Sequence, residues 1–294
     1  RDAGYRSRYC RRNEIRNRVL TRKICIKAMK KLIFYLFAGL LFTACGENED
    51  SDKGIQGSLP GSQTLISTMD FYFPRNPNEE REFIELSYDK QHRLIRYKET
   101  NTDEQGNPSE EIISYKYGDG IVTITSSTDP VYLITVYLND AGYAVRIEDA
   151  LDGNSEYTYD EENRLIRYKG EDEQEEYIWK NGNMVESRYT DSEGYHSTTR
   201  YTYYDIENKE NLDIVTDRMG GLPELEFAGL LGIQSKNLVH TETSDYDAAY
   251  KDNYEWEYDL NADGYVTEAI ALRPDETGTD DNPRTIEIQH TLVQ

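Results

Sequence analysis

Tyr159-Asp160-Glu161-Glu162-Asn163-Arg164-Leu165-Ile166-Arg167-Tyr168 is nearly repeated by Tyr88-Asp89-Lys90-Gln91-His92-Arg93-Leu94-Ile95-Arg96-Tyr97. Each copy reads as the end of one strand, a short polar turn and the start of the next. The same rhythm spreads outward along the chain. Ile84, Leu86 and Tyr88 alternate with Phe83, Glu85 and Ser87, while Tyr254, Trp256 and Tyr258, and Ile286, Ile288 and Leu292, alternate with polar neighbours. Alternation of period two in segments rich in Tyr, Thr, Ile and Val is the pattern of half-buried strands. Turn residues punctuate it at Gln105–Pro108, Gly118–Gly120, Asn139–Gly142, Asp152–Asn154, Asn181–Asn183, Asp191–Gly194 and Asn261–Gly264. Asn, Asp and Gly tolerate the positive φ that tight hairpins demand. Connections this short join antiparallel neighbours, because parallel strands need a long crossover. The expectation is an all-β fold: a large curled antiparallel meander of roughly 14 to 16 strands, a barrel or half-barrel, since so many strands do not lie flat. The irregular spacing of the hairpins argues against a solenoid.

One segment departs from the rhythm. Residues 222–231 carry apolar side chains at helical spacing, with Pro223 suited to a first helical turn and Gly232 to a stop. Such a short helix is marginal alone. It is expected to pack against the sheet or plug an open end, with a partner-docking face as the alternative.

The first 61 residues read as an address. Residues 1–28 are dense in arginine, and the chain then restarts at Met29-Lys30-Lys31 before thirteen uncharged residues, Leu32–Ala44. A basic start, a short apolar core and a small residue before Cys45 describe a signal peptide over 29–44, too short for a spanning helix of about 20 residues. Residues 1–28 are then expected to be upstream sequence translated in error. Leu41-Phe42-Thr43-Ala44-Cys45 resembles the lipobox of bacterial lipoproteins, so Cys45 is expected to carry the lipid anchor. Of the three cysteines, only Cys45 follows the restart, which excludes an internal disulfide framework in the mature chain. Residues 45–61 read as an acidic flexible tether, and 62–294 as one β domain. The run Glu47–Asp52 resembles the surface-export signal of Bacteroidota lipoproteins. The expected location is the outer membrane, facing the exterior, with the periplasmic face as the alternative.

Residues 1–44 hold 12 basic and 2 acidic side chains; the remainder holds 21 and 54, a formal charge of −33. That field repels phosphate backbones, so nucleic acid is not an expected partner.

Candidate chemistry is sparse. Asp259, Asn261 and Asp263, followed by Gly264, have the spacing of a calcium loop, but the twelfth position is Ile270 where a bidentate Glu belongs, and a plain hairpin turn is the favoured reading. No two histidines sit at metal-ligand spacing, and no nucleophile elbow or phosphate loop is present. No cofactor is expected. The 25 tyrosines against 7 phenylalanines are more informative. Trp179, Trp256, Tyr254 and Tyr258 could form an aromatic platform for sugar rings on a wet sheet face, although cross-strand aromatic pairing is the favoured explanation.

The Tyr-Asp-x-x-x-Arg-Leu pattern at Tyr88 and Tyr159 resembles the YD repeats of Rhs-type wall proteins. The lipobox, the tyrosine-rich hairpins, Pro223–Gly232 with Ser235-Lys236-Asn237, and Tyr258–Val266 together resemble a lipoprotein family of gut Bacteroidota described as a domain of unknown function with a porin-like fold. The resemblance spans Cys45–Gln294. It implies a curled antiparallel sheet and supplies no catalytic or binding residues. A membrane pore is not expected, because a transmembrane barrel needs an apolar lipid-facing parity and Arg164, Arg167 and Lys169 occupy both parities of one strand. A soluble, lipid-anchored barrel fits better. The leading functional expectation is a non-enzymatic surface module that binds a glycan or a protein; the alternatives are a structural accessory of an outer-membrane complex docked through 222–231, and a glycan-acting enzyme.

Overall fold

The computed structural model describes residues 64–75, 81–103, 106–149, 153–210, 223–246, 250–273 and 283–292. The leader, Cys45 and the tether lie outside the described residues, as does Leu222. Sixteen strands follow one another: β1 (Thr64–Tyr72), β2 (Glu82–Tyr88), β3 (Leu94–Thr102), β4 (Pro108–Tyr117), β5 (Ile121–Ser126), β6 (Leu133–Leu138), β7 (Ala144–Asp149) and β8 (Gly153–Tyr159). The second half comprises β9 (Leu165–Lys169), β10 (Glu173–Lys180), β11 (Asn183–Asp191), β12 (His196–Glu207), β13 (Asn237–Tyr246), β14 (Tyr250–Leu260), β15 (Val266–Leu272) and β16 (Arg284–Leu292). Each strand pairs antiparallel with its sequence neighbour, and β1 pairs with β16 to close a sixteen-strand barrel. Among the described residues between β12 and β13 lies a helix, α1 (Pro223–Phe227). Among the described residues, no helix is long and apolar enough to cross a membrane.

The hairpin at Asp160 shows how local chemistry builds the wall. Asp160 Oδ1 accepts the backbone N–H of Glu162 at 3.0 Å and of Arg164 at 2.9 Å. The backbone of Asp160 donates to Arg164 O, and that of Asn163 donates back to Asp160 O. Asn163 takes φ 61°, and the register slips by one residue between Thr158 and Tyr159. This is a tight turn that hands the chain on through a bulge, its donors satisfied by one side-chain oxygen. The same geometry recurs at Asp89, Asn139 and Asn261, with His92, Gly142 and Gly264 at the positive-φ position. At the opposite end Asp191 repeats it.

The tyrosines preceding these turns act across strands. Tyr88 donates its hydroxyl to Ile66 O at 2.9 Å, Tyr117 to Leu94 O at 3.0 Å and Tyr159 to Ala144 O at 2.8 Å. Trp179 Nε1 donates to Leu165 O at 2.8 Å, and Tyr203 donates to Met184 O. Each of these five aromatics, near the end of an even-numbered strand, thus caps a carbonyl near the start of the preceding strand. These tyrosines place their rings toward the core and use their hydroxyls to close one rim.

Alternation sets the polarity of the wall. Ile84, Ile124, Ile134, Val136, Ile147 and Ile288 are among the inward residues that form one continuous buried core. The outward parity is charged. Lys98 bridges Glu85 and Glu110 at 3.0 and 2.9 Å, and Arg188, Glu186, Arg200, Asp245 and Lys251 form an ion-pair chain across β11–β14. A membrane-spanning barrel has the reverse arrangement, with an apolar band outside and a polar lumen.

The segment containing α1 fills one end of the barrel. Leu225, Leu230 and Leu231 are fully buried, and the Phe227 ring lies 5.4 Å from that of Tyr97. Tyr115 donates to Glu224 O, Tyr132 donates to Glu224 Oε1, and Ala144 N donates to Leu230 O. Gly232, at φ +86°, passes so close to the Asp160 turn that a Cβ there would sit 2.5 Å from Asn163 O. The 222–231 expectation resolves, over its described residues, into a plug; the apolar side chains meant for a docking face point into the core.

Candidate functional site

β14 has eleven residues, and its pairing with β13 runs only from Tyr246↔Tyr250 to Thr241↔Glu255. Its remaining residues, from Trp256 on, pair with β15. On the other side of this seam, β12 slips by two residues between Tyr203↔Val239 and Glu207↔Asn237. The extra residues displace Tyr204 over β13. Its ring lies 4.3 Å from that of His240 and its hydroxyl donates to Trp256 O at 2.9 Å, spanning the seam. Tyr258 meets Tyr204 edge-on, with ring centroids 6.2 Å apart at 83°.

Beside this aromatic pair the wall is hollowed into a groove of about 490 Å³. Ile206 and Ile270 supply its apolar surface, and Glu257, Asp259 and Glu268 its charge. Burial, followed by the repulsion of Asp259 and Glu287, holds the Glu268 carboxyl above the usual range. Burial and the carboxylates of Glu255 and Glu257 likewise raise the Tyr204 phenol. The groove is therefore a concave, anionic surface with two aromatic rings, a size suited to a compact organic ligand.

The residues singled out in the sequence fall on both sides of the wall. Tyr254, Trp256 and Tyr258 share one parity of β14 and pack on the core, with Trp256 only 6% exposed. Trp179 packs on the same core from β10. They do not make a row on the wet face; of the four, Tyr258 reaches the groove. Sequence reasoning missed Tyr204, because the bulge that displaces it has no local signature. In the possible calcium loop, Asn261 Oδ1 is engaged by the N–H groups of Asp263 and Tyr265, and Asp263 O accepts from Lys209 Nζ at 2.5 Å. Among the described residues, no three His, Cys, Asp or Glu side chains are placed to hold a metal ion.

Polar groups also line the inner wall at the end away from the plug. Glu173 accepts from Tyr168 at 3.0 Å and from Tyr189 at 2.8 Å, and the buried Glu175 accepts from Tyr177 at 2.9 Å. Glu82 is pushed up to about 7, first by burial, with Arg284 opposing and Glu99 adding to the shift. These acids are occupied by neighbouring hydroxyls or by the guanidinium 3.7 Å away, and they serve as buried structural polar groups.

Comparisons with known proteins agree with this architecture. A porin-like protein from Bacteroides uniformis, solved by crystallography, is 17% identical, with a TM-score of 0.58 over 77% of this chain and 98% of its own. One from Bacteroides vulgatus is 16% identical, with a TM-score of 0.53 over 78% and 99%. At these identities the likeness is one of fold. No curated protein matches. The family model for a domain of unknown function (DUF4595) with porin-like fold matches residues 86–268. That span runs from β2 to β15, and the chain belongs to this family.

Proposed function

We propose that the protein is a lipid-anchored, non-catalytic binding module of the cell envelope, and that the groove beside β12, β14 and β15 takes a saccharide. The observation that carries this reading is the groove itself: Tyr204 and Tyr258, their ring centroids 6.2 Å apart, line a concavity edged by Glu257, Asp259 and Glu268, with Tyr258 packed on the core beneath it. Aromatic rings pack on the C–H faces of sugars, and carboxylates accept their hydroxyls. Envelope association is supported by the lipobox-like Leu41–Cys45 and by the porin-like fold shared with Bacteroides proteins. Surface display follows from the acidic run after Cys45 in the same reading.

A glycan array probed with the full chain in detergent tests it. Tyr204→Ala is expected to weaken binding at least about tenfold, the equivalent of ~1.4 kcal/mol. Tyr204→Phe, which keeps the ring and loses the bond to Trp256 O, is expected to retain it. An array without signal sinks the saccharide reading. A glycan-acting enzyme is favoured by one observation, the direct opposition of Asp259 and Glu268 with the latter's carboxyl raised. Release of new reducing ends from a bound glycan, abolished by Glu268→Gln, would establish that reading in place of the first. An accessory docked through 222–231 would need Leu225, Leu230 and Leu231 outside the barrel, whereas they are buried within it.

A further inference from the structure

On the outward face, four carboxylates stand directly opposite one another across four strands. Asp259 faces Glu268, Glu268 faces Glu287, and Glu287 faces Asp70. Like charges opposed in this way destabilise a sheet. One end of the row is compensated from within the protein. Arg81 Nε donates to Asp70 Oδ1 at 2.7 Å, a second guanidinium nitrogen reaches Oδ2, and the Tyr72 hydroxyl donates to Glu287 at 2.6 Å. The other end is not. Among the described residues, no side-chain donor reaches the carboxylates of Asp259 or Glu268, and no lysine, arginine or histidine lines the groove into which they open.

The compensated end is plain wall and the uncompensated end is a cavity. An inorganic ion does not answer this arrangement, because the acids are strung along a row rather than gathered round a point. What the groove does provide beside them is a ring face at Tyr204 and aliphatic surface at Ile206 and Ile270. It therefore suits a cation carried on a body with its own apolar face.

We infer that the saccharide recognised by the groove bears a free amine, its ammonium placed between Asp259 and Glu268 and its ring against Tyr204. This rests on the reading of the groove as a saccharide site. An N-acetylated sugar offers donors without charge and leaves the row uncompensated; a uronate adds a fifth anion. Burial first, and then the repulsion of Asp259 and Glu287, raises the Glu268 carboxyl, and a cation bound beside it would favour its ionised form.

Calorimetric titration of the full chain in detergent, at pH 6 and low salt, with four probes tests the inference. The probes are a glucosamine tetramer, its N-acetylated counterpart, a galacturonic acid tetramer and tetralysine. The glucosamine tetramer is expected to bind about tenfold or more tighter than the N-acetylated one, and the galacturonic acid tetramer not measurably. Asp259→Asn combined with Glu268→Gln is expected to bring the ratio of the first two affinities to about one. Salt is expected to erode the preference, because the carboxylates are on the surface. Equal affinity for the amine and the amide in the unaltered protein overturns the inference and leaves the saccharide reading standing. Tetralysine binding as tightly as the glucosamine tetramer also overturns it, because charge alone would then suffice. Silence from all three saccharides defeats the saccharide reading and the inference together.

Discussion

Asp160 shows how much one side chain arranges in this wall. Its carboxylate closes the turn through two backbone N–H groups and holds Arg164, whose Nε lies at 2.7 Å. Burial works against the charge, but the bonds from the Arg164 side chain and backbone and from the Glu162 backbone outweigh it and keep the carboxyl below its ordinary value. Asp160→Ala is expected to cost about 1–2 kcal/mol in denaturant unfolding at pH 7, the range for a hydrogen-bonded charged group discounted for its partial exposure. A carboxyl depressed in the folded state stabilises above its unfolded value and loses that contribution as pH falls through the folded one. The difference between the variant and the unaltered protein should therefore shrink below about pH 4. A pH-independent difference would mean that the carboxylate charge is irrelevant to the turn. Asp160→Asn should lose less, because Asn139 and Asn261 cap equivalent turns as neutral amides.

Among the elements, the plug carries the clearest consequences. Residues 228–236 run from α1 along the rim, and the Gly232 backbone bridges to Arg164. The close approach to Asn163 O and the Tyr159 ring leaves no room for a side chain. Gly194 has nearly the same φ, +87° against +86°, with nothing within 4 Å of a built Cβ. Gly232→Ala and Gly194→Ala thus carry similar backbone strain of about 1–3 kcal/mol, and only the first adds a steric clash. Gly232→Ala is expected to lower stability by at least about 1 kcal/mol more than Gly194→Ala, the scale of an overpacked site. Equal losses in parallel denaturation curves would show that the plug yields freely at the rim.

At the scale of the whole molecule, closure and polarity have to be considered together. A regular sixteen-strand barrel is wide enough for an aqueous channel. Here the inward residues and α1 form a continuous apolar core, while the outer wall carries ion pairs and the opposed acid row. Attachment to a bilayer is then the task of Cys45 in our proposal, since several acyl chains each contribute ~0.8 kcal/mol per buried methylene. Cys45→Ala is expected to move the protein from the membrane to the aqueous fraction. Membrane partition unaltered by the substitution would refute lipid anchoring.

Much of this fold was legible in the sequence because its causes are local. Period-two alternation and Asx-containing turns specify hairpins residue by residue, and a run of hairpins with short connections leaves little choice but a meander. Helical spacing in 222–231 was sufficient to expect a plug. The chain alone could not decide closure, because the pairing of Thr64 with Leu292 joins residues more than 200 positions apart and depends on the twist accumulated over every strand. Nor could it place the aromatics: tyrosine suits an inner face, an outer face or a rim equally well, and only the register put Trp256 inside and Tyr204 across the seam. The groove arises where β12 bulges and β13 parts from β14. Asp259, Glu268, Glu287 and Asp70 become neighbours through three strand pairings that no local pattern encodes.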